Sequence, residues 1–191
     1  MSEERIREEF TEPSCKIQCE AAKDVCRKTN IDLTKIPSPV EVAEKVATQQ
    51  CAAAFELVNK WVLVSCAPNP VNSQLHIDAA KEMLIKHNIV PANWFENVQI
   101  RFCKLLGEGQ APDRNQVLID ESYLHRTTRQ LAILLAHEMK HIDQYRSRGS
   151  TDQFKCDYSR HFVECAGCQD DGHPEEAEAY AFEEAAANKL P

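Results

Sequence analysis

Long apolar runs are missing from this chain. The most apolar stretch, Trp61 to Ala67, is too short to cross a bilayer, and Glu56, Asn59 and Lys60 precede it. The opening MSEERIREEF is charged and lacks the apolar core of a signal sequence, so no secretory signal is expected in the sequence as written. Glycine is scarce at 5 of 191 residues, and aromatics make up 7%. Ala, Leu, Glu and Lys abound instead, which favours a helix-rich fold. No Lys/Arg block offsets the formal net charge of -8, an excess that repels phosphates and sets nucleic acid aside as a partner. Hydrophobic residues at 43% can fill one core, and the length fits one domain with at most a small appendage.

Cysteine, by contrast, is plentiful. The nine are Cys15, Cys19, Cys26, Cys51, Cys66, Cys103, Cys156, Cys165 and Cys168. So many thiols lean towards an oxidising compartment, secreted or periplasmic, and an odd count leaves one unpaired if all bonds are intramolecular. Cys15, Cys19, Cys26, Cys51 and Cys66 are candidates to tie N-terminal helices together. Cys156 is a candidate to bond Cys165 or Cys168. Free thiols, or a structural zinc held by these three with a histidine, are the other readings.

Residues 1 to 30 read as a charged helical segment, and Asp32 to Pro39 (DLTKIPSP) as a break. Val42, Val46, Ala53, Leu57 and Val58 recur at helical spacing and predict one helix from about Pro39 to Val64. Cys66 to Ser73 reads as a linker. Beyond it the pattern predicts a helix over Ile77 to His87 ending near Asn88, a strand over Val98 to Cys103, a loop over Gly107 to Arg114 and a strand over Asn115 to Asp120. A long helix capped by Thr127 or Thr128 runs to about Arg148, where Gly149 ends it. A polar, cysteine-bearing stretch leads to a last helix from Pro174, with Glu175 and Glu176 in its first turn. The expectation is an α+β fold in two parts: a helical, cysteine-bearing appendage over 1–70, and a mainly helical zincin-like domain with a short antiparallel sheet over 71–191.

The chemistry lies in LAILLAHEMKHIDQY. His137 and His141 stand four residues apart, on one helix face, where both imidazoles can reach one zinc ion. Glu138 beside them can take a proton from a zinc-activated water and pass it to a leaving amine. Random placement of 7 His and 20 Glu gives about 0.03 expected matches to this pattern. The apolar run Leu131, Ile133, Leu134 and Leu135 predicts a buried, rigid helix. A catalytic zinc needs a third protein ligand and an open position. Glu175, Glu176, Glu178, Glu183 and Glu184 in the last helix are available, most of them as a solvated face. Glu176, with Ala179 one turn on and Tyr180 and Phe182 to pack, is favoured over Glu178.

HEMKHIDQY, followed after a gap by PEEAEAYAFE, resembles the gluzincin metallopeptidases, whose zinc ligands are two motif histidines and a downstream helical glutamate. More narrowly, roughly Leu75 to Glu183 is similar to the metallopeptidase domain of extracellular contractile injection system core proteins. In that group a helix, a strand pair and an apolar run precede a His-Glu-x-x-His-x-x-Gln-Tyr helix, and a Glu-x-Glu-Ala-Tyr-like segment follows. The resemblance implies zinc ligands His137, His141 and Glu176, and Glu138 as the base. It does not extend to the first 70 residues and says little about the substrate.

Around this centre, His161, His173, Tyr145 and Tyr180 are candidates to stabilise an oxyanion. Gln144, near His141 on the helix, is a candidate to orient the site. Asp120 and Glu121 read as capping charge. The strand Asn115 to Asp120 is the candidate edge for pairing with an extended substrate. The functional expectation is a zinc-dependent peptidase acting on a peptide or protein. The alternatives are a zinc-binding module without turnover, and a disulfide-stabilised helical interaction protein.

Overall fold

A computed structural model describes residues 39–60, 63–70, 72–164 and 172–191. The expected helix over 1–30, nearly all of the 32–39 break, and Cys15, Cys19, Cys26, Cys165 and Cys168 lie outside these residues. The described chain is α+β, with six α-helices and one small sheet. No described helix is long and apolar enough to cross a membrane. Two compact units divide it: 39–60 with 155–164 and 172–173, and 63–70 with 72–154 and 174–191.

The first unit holds helices α1 (Pro39–Ala47) and α2 (Cys51–Lys60). The single helix expected from Pro39 to Val64 is therefore broken. Gln49 takes a left-handed φ of 59°, and the amides of Gln49 and Gln50 bond back to Val46 O (3.0 Å) and Lys45 O (2.8 Å). This pair of bonds closes a helix C-terminus with Gln49 where glycine is usual. Beyond α2, 63–65 form a strand instead of helix. Val42, Ala54, Phe55 and Val58 are buried in this unit. Phe55 meets Tyr158 edge-on, with ring centres 5.3 Å apart. Tyr158 lies on helix α5 (Thr151–Glu164), a helix absent from the sequence expectation. Cys156 on α5 is bonded to Cys51, with their Cα atoms 4.6 Å apart.

The second unit is built on a mixed sheet of β1 (Leu63–Ser65), β2 (Gln99–Leu105), β3 (Gly109–Asp113) and β4 (Gln116–Asp120), ordered β1-β2-β4-β3. The expected purely antiparallel sheet is not what forms. β2 and β4 pair in parallel, from Gln99 beside Gln116 to Cys103 beside Asp120. The cause is β3, which occupies the segment expected as a loop. It turns back through Asp113, whose carboxylate accepts from Asn115 N at 2.7 Å, and pairs antiparallel with the far side of β4. Cys66 is bonded to Cys103 in β2.

Two helices pack with this sheet. Helix α3 (Ser73–Lys86) ends at Asn88, whose φ is 52°. The amides of Asn88 and Ile89 return to Ile85 O and Leu84 O, both at 3.0 Å, in the closure seen at Gln49. Helix α4 (Thr128–Ser147) starts in a capping box: Thr127 Oγ1 accepts from Gln130 N, and the Gln130 side chain accepts from Thr127 N. Gly149, at φ 78°, follows its end. Leu131, Leu135, Met139 and Ile142 of α4 bury into a core with Ile77 and Leu84 of α3 and Val117 and Ile119 of β4. Helix α6 (Pro174–Lys189) packs along α4.

The disulfides differ from those expected. Cys156 bonds Cys51, so it is unavailable to Cys165, Cys168 or a structural zinc, and Cys66 joins the sheet instead of the N-terminal helices. Non-reducing peptide mapping should recover Cys51–Cys156 and Cys66–Cys103, and a Cys156–Cys165 peptide contradicts this pairing. Replacing Cys51 and Cys156 by alanine should lower unfolding stability by about 2–4 kcal/mol in denaturant titration.

Candidate metal centre

Two turns of α4 and two of α6 build the site. His137 and His141 lie on the polar side of a helix whose other side is held in the core, so their rings are fixed from beneath. Both are buried, and so is Glu176 in the first turn of α6. The three side chains converge. His137 Nε2 is 3.2 Å from His141 Nε2, and Glu176 Oε2 is 3.4 Å from the first and 3.5 Å from the second.

The far side of each ring explains why these atoms face one another. His137 Nδ1 lies 2.9 Å from Glu183 Oε2, a group that can only accept while ionised, so Nδ1 carries the hydrogen. His141 Nδ1 lies 2.9 Å from Gln144 Oε1. The Gln144 amide nitrogen donates to Glu175 O (3.0 Å) and Glu178 Oε2 (2.9 Å), which leaves its oxygen to accept from His141. Both Nε2 lone pairs therefore point inward, with a carboxylate oxygen opposite. Three acceptors in a buried space are complementary to a cation, and the group His137, His141 and Glu176 could hold a metal ion.

A proton can be held in the same place. Burial disfavours charging His137, but hydrogen bonds to Glu176 and Glu183 outweigh it and raise its pKa to about 10. His141 is likewise raised, its burial outweighed by the charge of Glu176. Glu138 is buried, and desolvation pushes its carboxyl up to about 7 against the pull of His137 and His141. Its Oε2 has no hydrogen-bond partner. Gly109 of β3 lies directly against Glu138 Oε1, so a Cβ there would collide with the carboxylate. Tyr145 ties β3 to α4 by donating to the carbonyls of Ala111 (3.3 Å) and Pro112 (3.1 Å).

The structure thus brings together His137, Glu138, His141 and Glu176. Glu178, the alternative ligand, points elsewhere: it pairs with Lys140 Nζ at 2.8 Å and accepts from Gln144. Of the oxyanion candidates, Tyr180 sits beside the site with its ring centre 4.7 Å from that of His137. Tyr145 is committed to β3, and His161 and His173 belong to the other compact unit. Asp120 caps the following turn by accepting from Ser122 N. The strand expected as a free edge, 115–120, is β4 in the interior of the sheet, and the outer strand is β3. Two residues escape a reading of the sequence. Glu183 reads as part of a solvated face, although Glu176, Tyr180 and Glu183 share one helical side at i, i+4 and i+7. Gly109 carries no signal beyond its loop-like surroundings.

Protons and a metal ion would compete for the same atoms, which fixes a sign. With metal removed, folded His137 keeps a proton between its ordinary 6.5 and about 10, and Glu138 keeps one between 4.5 and about 7. The unfolded chain releases both, so these groups stabilise the metal-free fold at low pH and lose that contribution as pH rises through each window. A bound metal requires unprotonated ligands, so its stabilisation grows as pH rises. The gap in Tm between metal-loaded and chelated protein should therefore widen from about pH 5.5 to about pH 8, and a constant gap contradicts the site. No protein-family model, curated protein or solved structure matches the chain, so its function has to be read from the geometry of its own residues.

Proposed function

We propose that this chain is a zinc-dependent peptidase with a gluzincin-type ligand set, folded in a zincin-like way around α4. One observation carries the reading. The three inward-facing ligand atoms are 3.2, 3.4 and 3.5 Å from one another, and a tetrahedral ion with bonds of about 2.0–2.1 Å sets its ligands about 3.3–3.4 Å apart. Two imidazoles and a carboxylate, with no thiolate, are the donors of a catalytic rather than a structural zinc. When bound, zinc supplies Lewis acidity and a water acidified towards neutrality.

The chain's own residues do the rest. Glu138 follows His137 directly on the helix, and its carboxylate is desolvated and poised near neutral pH, which suits a general base. Its partnerless Oε2 takes a proton from the attacking water and returns it to the departing amine. β3, the outer strand beside Glu138, is the rail for an extended peptide, which would add to the sheet by main-chain hydrogen bonds. The two disulfide-bonded pairs favour a secreted or periplasmic setting.

Native protein should carry about one zinc per chain and cleave a casein-like substrate. Glu138→Gln should keep zinc and lose about 10²–10⁴-fold in kcat/KM. Glu176→Ala should lose the metal. Zinc-loaded protein that cleaves no member of a peptide library overturns the peptidase reading in favour of a non-catalytic metal module. Gly109→Ala should retain zinc while displacing the base, seen as a fall in kcat; unchanged kcat contradicts the role given to that glycine.

A further inference from the structure

We propose that Glu183 is a positioning residue that sets the tautomer and donor strength of His137, and so the affinity of the site for its metal. The inference rests on the zinc-peptidase reading and goes beyond it. Glu183 stands two turns after Glu176 on α6, so one helix supplies both a ligand and the partner of another ligand. Its Oε2 is 2.9 Å from His137 Nδ1. The ring is also flanked by Tyr180, at 4.7 Å between centres and 67° between planes. His137 is thus held at one nitrogen and along one side, with Nε2 aimed at Glu176.

The two histidines are not equivalent. His141 donates to a neutral amide, Gln144 Oε1, whereas His137 donates to a carboxylate. Donation to a carboxylate makes the imidazole the more electron-rich, stronger ligand. Without Glu183 the ring can carry its hydrogen on either nitrogen, and one of those tautomers turns an N–H towards the ion. Partners of this kind are worth about 10–100-fold in metal affinity.

The test is zinc competition against a chelator of known affinity, with the absorption spectrum of the cobalt-substituted protein as a second readout. Glu183→Ala should weaken zinc by about 10–100-fold. Glu183→Gln, nearly the same shape and still an acceptor, should fall between it and the wild type and shift the cobalt ligand-field bands. Glu184→Gln, which removes the same charge from an exposed neighbour, should change neither. Wild-type affinity and spectrum in both Glu183 variants overturn the inference, as does an equal loss in Glu184→Gln. If Glu183→Ala does not fold, Glu183→Gln against Glu184→Gln decides alone. A wild-type chain that takes up no zinc overturns the zinc reading itself, a result distinct from normal binding by unaltered variants.

Discussion

Helices α4 and α6 meet along a row of polar contacts. Running down α4, His137 meets Glu183, Lys140 meets Glu178, Gln144 meets Glu178 and the carbonyl of Glu175, and Arg148 meets the Glu175 carboxylate at 2.6 Å. The partners descend α6 as the residues ascend α4, so the helices are antiparallel in this register. The apolar contribution of α6 is narrow: Ala179 and Ala186 are buried and Phe182 packs against the core, while its first turn buries Glu175 and Glu176. Two buried carboxylates in its first turn are tolerable only with counter-charges. Arg148 answers Glu175, while Glu176 faces two imidazoles. The pairing that joins the helices also brings together the three residues that could hold a metal ion.

A small zinc module folds only around its ion, whereas α4 here is held from beneath by apolar packing. The core under α4 is apolar, and the Nδ1 atoms of the two rings pair with Glu183 and Gln144. The opposite wall, β3, approaches so closely that Gly109 stands against Glu138 with no room for a side chain. Scarcity of glycine elsewhere gives this one more meaning. A carboxyl crowded by backbone and held off from water, as that of Glu138 is, is raised for a geometric reason.

Much of this is legible without coordinates. The histidine pair and Glu138 follow from a four-residue helical repeat over an apolar run, and the ends of α4 follow from Thr127, Gln130 and Gly149, all local signals. Glu176 is legible as the favoured of two candidates, and the crossing of α6 over α4 places it, and not Glu178, beside the imidazoles. What stays hidden depends on residues distant in sequence. β3 reads as a loop because Gly109, Pro112 and Asp113 are poor strand formers, and pairing with β4 overrides them. The break at Gln49 is hidden because a glutamine takes a position where glycine is the usual sign. The Cys51–Cys156 and Cys66–Cys103 partners are 105 and 37 residues apart, and cysteine spacing does not specify such pairs. Glu183 is hidden by composition, one acid among many on a polar helix.

The convergence of His137, His141 and Glu176 on one ion is tested most directly by X-ray absorption at the zinc edge, on native protein purified without added metal. The expected spectrum has imidazole nitrogens and a carboxylate oxygen at about 2.0–2.1 Å and no sulfur. A sulfur shell at about 2.3 Å would place zinc on the cysteines instead, and that result, or no zinc at all, contradicts this metal centre.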